Sequence, residues 1–111
     1  EPPAFGEEAT IGGTIASGLS GPSRPYRGAA RDFVLGVRCL NGKGDVLRFG
    51  GEVMKNVAGY DVARLMTGSM GTLGILTEVS LKVLPSPACI ETRTYEMRSD
   101  AAFGVMTSLL S

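Results

Sequence analysis

The 111-residue sequence contains no histidine and only two cysteines, Cys39 and Cys89. Without histidine, this chain alone cannot supply a histidine-based triad, a histidine–metal site or a histidyl-linked cofactor. The cysteines lie far apart and form no CxxC pair, which argues against a thiolate metal site or a dithiol redox motif. A single disulfide is the alternative, but nothing else in the sequence indicates secretion. We therefore expect two ordinary thiols, buried or half-buried, in strand-like segments.

An excess of one charge and long apolar runs are also missing. Lys plus Arg and Asp plus Glu each number 11, so the formal net charge is zero. Because nucleic-acid-binding domains usually carry a basic excess, we expect no nucleic-acid partner. No apolar run approaches the roughly 20 residues of a membrane-spanning helix, and no N-terminal segment has the pattern of a signal peptide. The length and the 43% hydrophobic content are those of one globular domain.

Glycine is the residue in excess, with 16 of 111 positions, about twice the usual share of ~7%. The glycines form separate short clusters between apolar segments. Glycine is needed where the backbone adopts positive φ or approaches another group closely. The clusters therefore predict a ligand held by the main chain, and the alternative is a set of tight turns that bind nothing.

Three segments have the pattern of short helices. Thr10 is placed to cap one within residues 9–19. Asp61 is placed to cap a second that ends at Met66. The third is an amphipathic helix over residues 100–110. The apolar side of the second helix is predicted to consist of Val62, Leu65 and Met66.

Four segments have the alternation of strands: residues 32–40, 45–49, 75–84 and 89–97. The first two flank Asn41-Gly42-Lys43-Gly44, which is a hairpin signal. The face predicted to be buried in the first strand is Phe33, Leu35, Val37 and Cys39. In the third strand, it is Ile75, Val79, Leu81 and Val83.

Two glycine clusters are candidates for ligand binding, although neither is a Rossmann fingerprint or a P-loop. Residues 9–13 open a short helix, whose free N–H groups favour an anion such as a phosphate. Residues 68–74 run directly into a strand and place backbone amides and carbonyls at its mouth. The order of helix-opening Gly-Gly, hairpin, short helix, Gly-x-x-Gly and strand is more specific than either cluster.

This ordered set resembles the FAD-binding domain of the vanillyl-alcohol-oxidase/p-cresol-methylhydroxylase type, a family that includes flavoprotein subunits of glycolate oxidase and D-lactate dehydrogenase. The motifs that carry the resemblance are TIGG (10–13), RDFVLG (31–36), KNVAGYD (55–61) and GTLGILTE (71–78). It extends over about residues 3–87. Two segments, SGLSGP (17–22) and FGGEVMKN (49–56), resemble in particular the FAD-binding subunit of bacterial glycolate oxidase.

The resemblance implies an α+β fold in which residues 1–87 are the second part of a two-subdomain FAD-binding domain, an antiparallel sheet flanked by helices. The family's other half, with its own pyrophosphate loop, would lie upstream. Residues 88–111 would begin a substrate-facing cap domain after the boundary at Pro85-Ser86-Pro87. The first residue is not Met and a helical pattern runs to the last residues, so we expect a piece of a longer protein.

The resemblance also implies cofactor contacts residue by residue. Residues 8–13 match the family's pyrophosphate and ribityl contacts, residues 17–20 match a segment near the flavin, and residues 70–76 match backbone contacts to the adenosine side. The individual candidates are Glu8, Ala9, Thr10, Gly12, Gly13, Ser17, Gly18, Leu19, Ser20, Gly71, Thr72, Leu73, Gly74, Ile75 and Leu76. Many relatives carry Glu where this chain has Met70, so any contact made by that carboxylate is lost here.

Several polar residues have two interpretations. Arg24, Arg27 and Arg31 balance the charge of an anionic cofactor or a carboxylate substrate, or they belong to a solvated connector. Lys55 and Asn56 fall within a family motif, where the simplest role is to shape a loop.

The function that the resemblance implies is an FAD-binding subunit of an oxidoreductase acting on a 2-hydroxy acid, with glycolate foremost. A second flavoprotein subunit and an iron–sulfur subunit would be its partners, and its location would be cytoplasmic, with the partners as a route to the inner membrane. Three hypotheses stay open: a subunit that turns over substrate, an accessory subunit that relays electrons or stabilises the complex, and a module that has lost flavin. The missing histidine favours the second over the first, since hydroxy-acid oxidation needs a base. The retained glycines argue against the third.

Overall fold

The computed structural model describes residues 2–3, 5–51 and 59–110. Within these ranges the chain forms α1 (Ile11–Ser17), α2 (Arg24–Arg27), β1 (Val34–Leu40), β2 (Val46–Gly50), α3 (Val62–Met66), β3 (Ile75–Leu81) and α4 (Ser99–Leu110). A 3₁₀ turn, Ala30–Phe33, leads into β1. The three strands form an antiparallel sheet in the order β2-β1-β3. The predicted α+β class is confirmed.

Helices α1 and α3 begin where the sequence predicts, because a side-chain oxygen caps each of them. Thr10 Oγ1 accepts a hydrogen bond from the Gly13 N–H at 3.0 Å, and Asp61 Oδ1 accepts one from the Arg64 N–H at 3.0 Å. These bonds satisfy amides that the first helical turn leaves without a partner. Helix α1 ends at Gly18, whose φ of +66° is the left-handed conformation of a helix C-cap.

The predicted hairpin joins β1 to β2. Asn41 Oδ1 accepts hydrogen bonds from the N–H groups of Lys43 and Asp45, both at 2.9 Å. Gly44 supplies the positive φ that the turn requires, +86°. The register of the two strands is therefore set by local chemistry that can be read from the sequence.

The core lies between one face of the sheet and the two helices α1 and α3. Its buried residues are Ile15, Val34, Val37, Cys39, Ala63 and Met66. The opposite face carries an ion pair between Arg38 and Glu78, with nitrogen and oxygen 3.1 Å apart. Both cysteines are free. Cys39 is buried in β1 as expected, whereas Cys89 is exposed and lies outside any strand, contrary to the expectation.

The predicted alternation of β1 is wrong at its start. The register with β3 shifts between Val34 and Gly36, so Leu35 is an extra residue, as in a β-bulge. Val34 is therefore buried, while Phe33 and Leu35 are only half-buried. The inserted residue changes which side of the chain faces the helices.

The predicted alternation of β3 is wrong at both ends. A second shift follows Arg38, and here Thr77 is the extra residue on β3. As a result Leu76 packs against the core and Ile75 is 64% exposed. The strand ends at Leu81 rather than at residue 84, so Val83 is exposed.

Two further predictions at the level of single elements are corrected. Leu65 is 61% exposed, while Ala63 is buried with Met66, because residues three apart share one side of this five-residue helix. Residues 89–97 form no strand, and the described sheet consists of β2, β1 and β3 alone. The C-terminal helix is confirmed as α4, and the domain boundary at 85–87 stays a prediction.

Candidate functional site

Residues 8–13, the predicted pyrophosphate and ribityl segment, run into the first turn of helix α1. This helix presents three different sides to its surroundings. Gly12 lies against β3, and a Cβ placed on it would be 3.7 Å from the Leu76 carbonyl oxygen. Ile15 is buried in the core. Gly12 and Leu76, predicted as cofactor contacts, therefore also form the packing contact between helix and strand.

A cleft of about 270 Å³, the α1 cleft, runs along the third side of this helix. It is lined by Pro3, Phe5, Glu8, Ala9, Thr10, Gly13, Thr14 and Ser17. Five of these residues are predicted cofactor contacts. At the first helical turn, beside the cleft, the amides of Ile11 and Gly12 have no acceptor among the described residues, although neither residue lines the cleft. The structure thus gathers most of the first segment around one open space.

The glycine turn, residues 68–74, holds most of the predicted adenosine segment, residues 70–76. Met70 has a φ of +52°, and no other described residue apart from glycine has a positive φ. Gly71, with a φ of +76°, has no atom within 4 Å of the position of a Cβ. Thr72 closes the turn, with its Oγ1 donating to the Ser69 carbonyl at 2.6 Å. Space is therefore open beside Gly71.

Gly74 has a structural reason to be glycine that is separate from any ligand. A Cβ on it would stand 2.7 Å from the Leu40 carbonyl oxygen, at a φ of +153°. Beside it, Leu73 and Ile75 are exposed, and Leu76 faces the helix. The predicted adenosine segment therefore divides into two parts. In the free part, residues 71–73 and Ile75, the chain borders open space, and in the packed part, Gly74 and Leu76, it contacts the rest of the fold.

The glycine turn is hydrogen-bonded to the C-terminal end of α1. The Gly68 N–H donates to the Ile15 carbonyl at 3.0 Å, and the Met70 N–H donates to the Ala16 carbonyl at 2.9 Å. Gly18, which follows the helix, lies against Gly68. Sequence reasoning missed this junction, because its bonds join backbone atoms that leave no signal in the residue types.

The predicted flavin segment, residues 17–20, already has partners within the chain. Ser17 Oγ donates to the Thr14 carbonyl at 2.9 Å, and Ser20 Oγ accepts from the Ala30 N–H at 2.9 Å. Leu19 is exposed. The Ser20 hydroxyl keeps its own proton for a further hydrogen bond.

A second, larger cleft of about 410 Å³ lies on the side of α1 that carries Ile11. Its lining is largely apolar and includes Ile15, Phe33 and Leu81, and its charged residues are Arg24, Arg27 and Lys82. None of the four ion pairs among the described residues uses these cations. Arg24 and Arg27 thus border one cavity, while Arg31 does not line it.

Some of the sequence candidates lie elsewhere. Lys55 and Asn56 fall within residues 52–58, outside the described residues. Across ranges 2–3, 5–51 and 59–110, no three Asp, Glu or Cys side chains are grouped to hold a metal ion. None of the helices in these ranges is long and apolar enough to cross a bilayer.

Known proteins with similar sequences identify the type of domain. The family described as "FAD binding domain" matches residues 1–50. The glycolate oxidase subunit GlcE of Escherichia coli K12 is 68% identical over 87 residues, which are 78% of this chain and 25% of that protein. The glycolate oxidase subunit GlcD of Bacillus subtilis 168 is 46% identical over 79 residues, 71% of this chain and 17% of that protein.

A D-lactate dehydrogenase of Anaerostipes hadrus is 40% identical over 90 residues, 80% of this chain and 19% of that protein. The chain thus spans a quarter or less of the length of each of these relatives. Their names are those of oxidoreductases. The predicted resemblance is confirmed: the chain carries part of an FAD-binding domain, similar to the glycolate oxidase subunits, and the cofactor of this domain is FAD.

Proposed function

We propose that this FAD-binding segment works, in the full-length protein, within a subunit of an oxidoreductase that oxidises glycolate. The observation that supports the substrate is the 68% identity to the glycolate oxidase subunit GlcE over most of the chain. The names of more distant relatives specify lactate and 2-hydroxyglutarate, which share the 2-hydroxy acid group. A 2-hydroxy acid is therefore the substrate class that we infer, and glycolate is the specific member.

The α1 cleft suits the diphosphate and the ribityl chain of FAD. Its lining residues Thr10 and Gly13 flank the first turn of α1, where the N–H groups of Ile11 and Gly12 have no acceptor among the described residues. Gly13 lines the cleft with main chain alone. Glu8 brings a carboxylate to the same cleft, and this group suits the hydroxyls of the ribityl chain rather than the phosphates, which it would repel.

The free part of the glycine turn suits the adenosine side of FAD. The space beside Gly71 lets a ligand approach the backbone closely. Leu73 and Ile75 are exposed apolar side chains that a ring system can cover. We assign these residues and Thr72 to the adenosine side, and we give Gly74 and Leu76 mainly a packing role.

The chemistry that FAD supplies when bound is the acceptance of two electrons from the substrate. The residues of this chain bind and orient the cofactor, and none of them is a convincing base for the substrate hydroxyl. Because the chain has no histidine, we assign the base to another part of the protein or to a partner. The same observation favours the second candidate function, an accessory subunit that relays electrons or stabilises the complex.

The names of the relatives describe subunits, which supports a multi-subunit complex. We propose a second flavoprotein subunit and an iron–sulfur subunit as the partners, and a cytoplasmic complex that reaches the inner membrane through them. Adding glycolate without oxygen to the purified subunit separates the two candidate functions. Bleaching of the visible flavin band in the subunit alone supports a catalytic subunit, and bleaching only with partners present supports the accessory one.

We expect the full-length protein to contain FAD rather than FMN or NAD. Two separated segments, one suited to a diphosphate and one to an adenosine, argue against FMN, which has neither part, and the match to the FAD-binding family favours FAD over NAD. Denaturing the purified protein and chromatographing the released cofactor tests this expectation. Recovery of FMN, or of no nucleotide, contradicts the proposed function.

Substitution of Gly71 by valine in the full-length protein is expected to lower the FAD content while the protein still folds. The added side chain would fill the space beside the turn, where nothing else lies within 4 Å. Gly44→Val is the matched control, because Gly44 also has positive φ and open space but belongs to the distant hairpin. Gly12→Val is expected to lower FAD content as well, whereas Lys43→Ala is not. Equal flavin occupancy in the Gly71 and Gly44 variants would exclude a cofactor contact at Gly71.

A further inference from the structure

We propose that the crossing of α1 and the glycine turn, where Gly18 lies on Gly68, positions the two cofactor segments relative to each other. Gly18 is the positioning residue, since the absence of its side chain sets the spacing between the two backbones. This inference rests on the proposed function, because it requires that both segments hold one FAD molecule. It assigns to Gly18 a role through the turn instead of a direct contact with the flavin.

The crossing is too close for any side chain at position 18. A Cβ on Gly18 would stand 2.8 Å from the Gly68 Cα and 3.0 Å from the Gly68 nitrogen. Both neighbours are backbone atoms, which cannot turn aside as the end of a side chain does. The helix end and the turn are thus in direct backbone contact, and any residue larger than glycine must push them apart.

Hydrogen bonds fix the crossing on both sides of this contact. The carbonyls of Ile15 and Ala16, near the end of α1, accept from the N–H groups of Gly68 and Met70 at 3.0 and 2.9 Å. The Ile15 carbonyl also accepts from the Gly18 N–H at 3.0 Å, the bond that caps the helix. Two backbone hydrogen bonds therefore hold the turn to the end of α1, and a displacement of one displaces the other.

Helix α1 contacts the glycine turn at its C-terminal end and β3 near its N-terminal end. Gly18 meets Gly68 at one end, and Gly12 meets Leu76 at the other. A rigid helix held at two points works as a spacer between its own first turn and the residues near Gly71. Displacement at Gly18 would consequently tilt the α1 cleft away from the adenosine segment.

The turn has little freedom to absorb such a displacement. Within it the Ser69 N–H donates to the Met66 carbonyl at 3.3 Å, and the Thr72 N–H and Oγ1 donate to the Ser69 carbonyl at 2.9 and 2.6 Å. Met70, between these bonds, has a φ of +52°, a conformation that residues other than glycine adopt only where their surroundings impose it. A shift at the crossing is therefore passed on along the turn.

Three alanine variants of the full-length protein separate positioning from ordinary backbone strain. Gly18→Ala adds both a positive-φ penalty and the collision with Gly68. Gly44→Ala adds a similar penalty at a φ of +86° with nothing within 4 Å. Gly68→Ala adds a penalty at the crossing itself, with its nearest neighbour, the Gly18 Cα, at an ordinary 4.0 Å.

For each variant, FAD affinity is measured by titration, thermal unfolding is followed without FAD, and the visible circular dichroism of the bound flavin is recorded at saturation. We expect Gly18→Ala to bind FAD about tenfold to a hundredfold more weakly than Gly44→Ala and to show an altered flavin spectrum. The FAD affinity of Gly68→Ala is expected to lie between those of the other two variants. If Gly18→Ala does not fold, the comparison of Gly68→Ala with Gly44→Ala decides the question.

Equal FAD affinity and unchanged flavin spectra across the three variants would overturn the positioning role while leaving the proposed function intact. A wild-type protein that binds no FAD would overturn the proposed function and this inference with it. A loss of affinity that follows the loss of thermal stability equally in all three variants would show that the crossing is merely structural.

Discussion

The isolated 111-residue chain is expected to bind FAD several orders of magnitude more weakly than the full-length protein. The resemblance implies that residues 1–87 are one half of a two-part domain, whose other half would supply further contacts to the diphosphate. Each charge-assisted hydrogen bond that is missing costs about 1.5–3 kcal/mol, and every 1.4 kcal/mol or so is a factor of about ten in affinity. The loss of a few such bonds suffices for the expected effect.

The surface of the chain gives an independent reason for this expectation. Its solvent-accessible area is 8927 Å², whereas a compact protein of 11.6 kDa exposes about 5,800 Å². Many large apolar side chains on the described surface are exposed, among them Phe5, Ile11 and Tyr60. A chain that leaves this much surface uncovered holds its binding groups less firmly, so preorganisation for FAD is also reduced.

Titration of FAD into the purified chain, with quenching of flavin fluorescence as the signal, measures the affinity directly. The full-length protein, stripped of FAD and titrated in the same way, is the reference. Stoichiometric binding in the sub-micromolar range by a soluble monomer would show that these residues form a self-sufficient cofactor domain, contrary to the expectation.

The second large effect is expected for Gly50→Ala, which should lower the stability of the full-length protein by about 3 kcal/mol or more. Gly50 ends β2 with a φ of +70°, and a Cβ on it would collide with the carbonyl oxygen of Leu35. That carbonyl is fixed by a hydrogen bond from the Gly51 N–H at 3.1 Å. The substitution therefore combines a left-handed conformation with a clash between backbone and side chain at the β1–β2 pairing.

Urea denaturation of the wild type, Gly50→Ala and Gly44→Ala measures this effect. Gly44 has a similar positive φ with open space around it, so its variant should lose only about 1–2 kcal/mol, the cost of the left-handed conformation itself. Similar losses in the two variants would mean that the strand pair adjusts to the added methyl group and that the predicted collision is relieved.

Local chemistry explains which parts of the fold were predictable from the sequence. Thr10, Asp61 and Asn41 each bond to backbone within a few residues, so the caps and the hairpin follow from residue type and spacing alone. The bulges at Leu35 and Thr77 do not, because an extra residue is defined only by the strand that pairs with it. For this reason Ile75 was predicted to be buried, whereas in the structure Ile75 is exposed and Leu76 packs against the core.

The candidate site shows the same division. The motifs predicted the cofactor segments, and the α1 cleft gathers four residues of the first segment, residues 8–13, together with Ser17. The sequence did not distinguish a glycine that faces open space, such as Gly71, from one that packs against backbone, such as Gly74. Lys82 was missed as a neighbour of Arg24 and Arg27, since its approach depends on the pairing of β3 with β1.

The extra residue Thr77 in β3 has a consequence for how this protein can evolve. Deletion of Thr77 would leave Glu78 opposite Arg38 and Leu76 opposite Cys39, so the strand would lose its bulge and the contact between Leu76 and Gly12 would be kept. Deletion of a second residue would exchange the sides taken by Ile75 and Leu76 and would break that contact, because side chains alternate along a strand. We therefore expect homologues to vary at position 77, where the side chain is exposed, and to tolerate the loss of one residue there but not of two. The bulge thus gives this segment one residue of freedom in chain length.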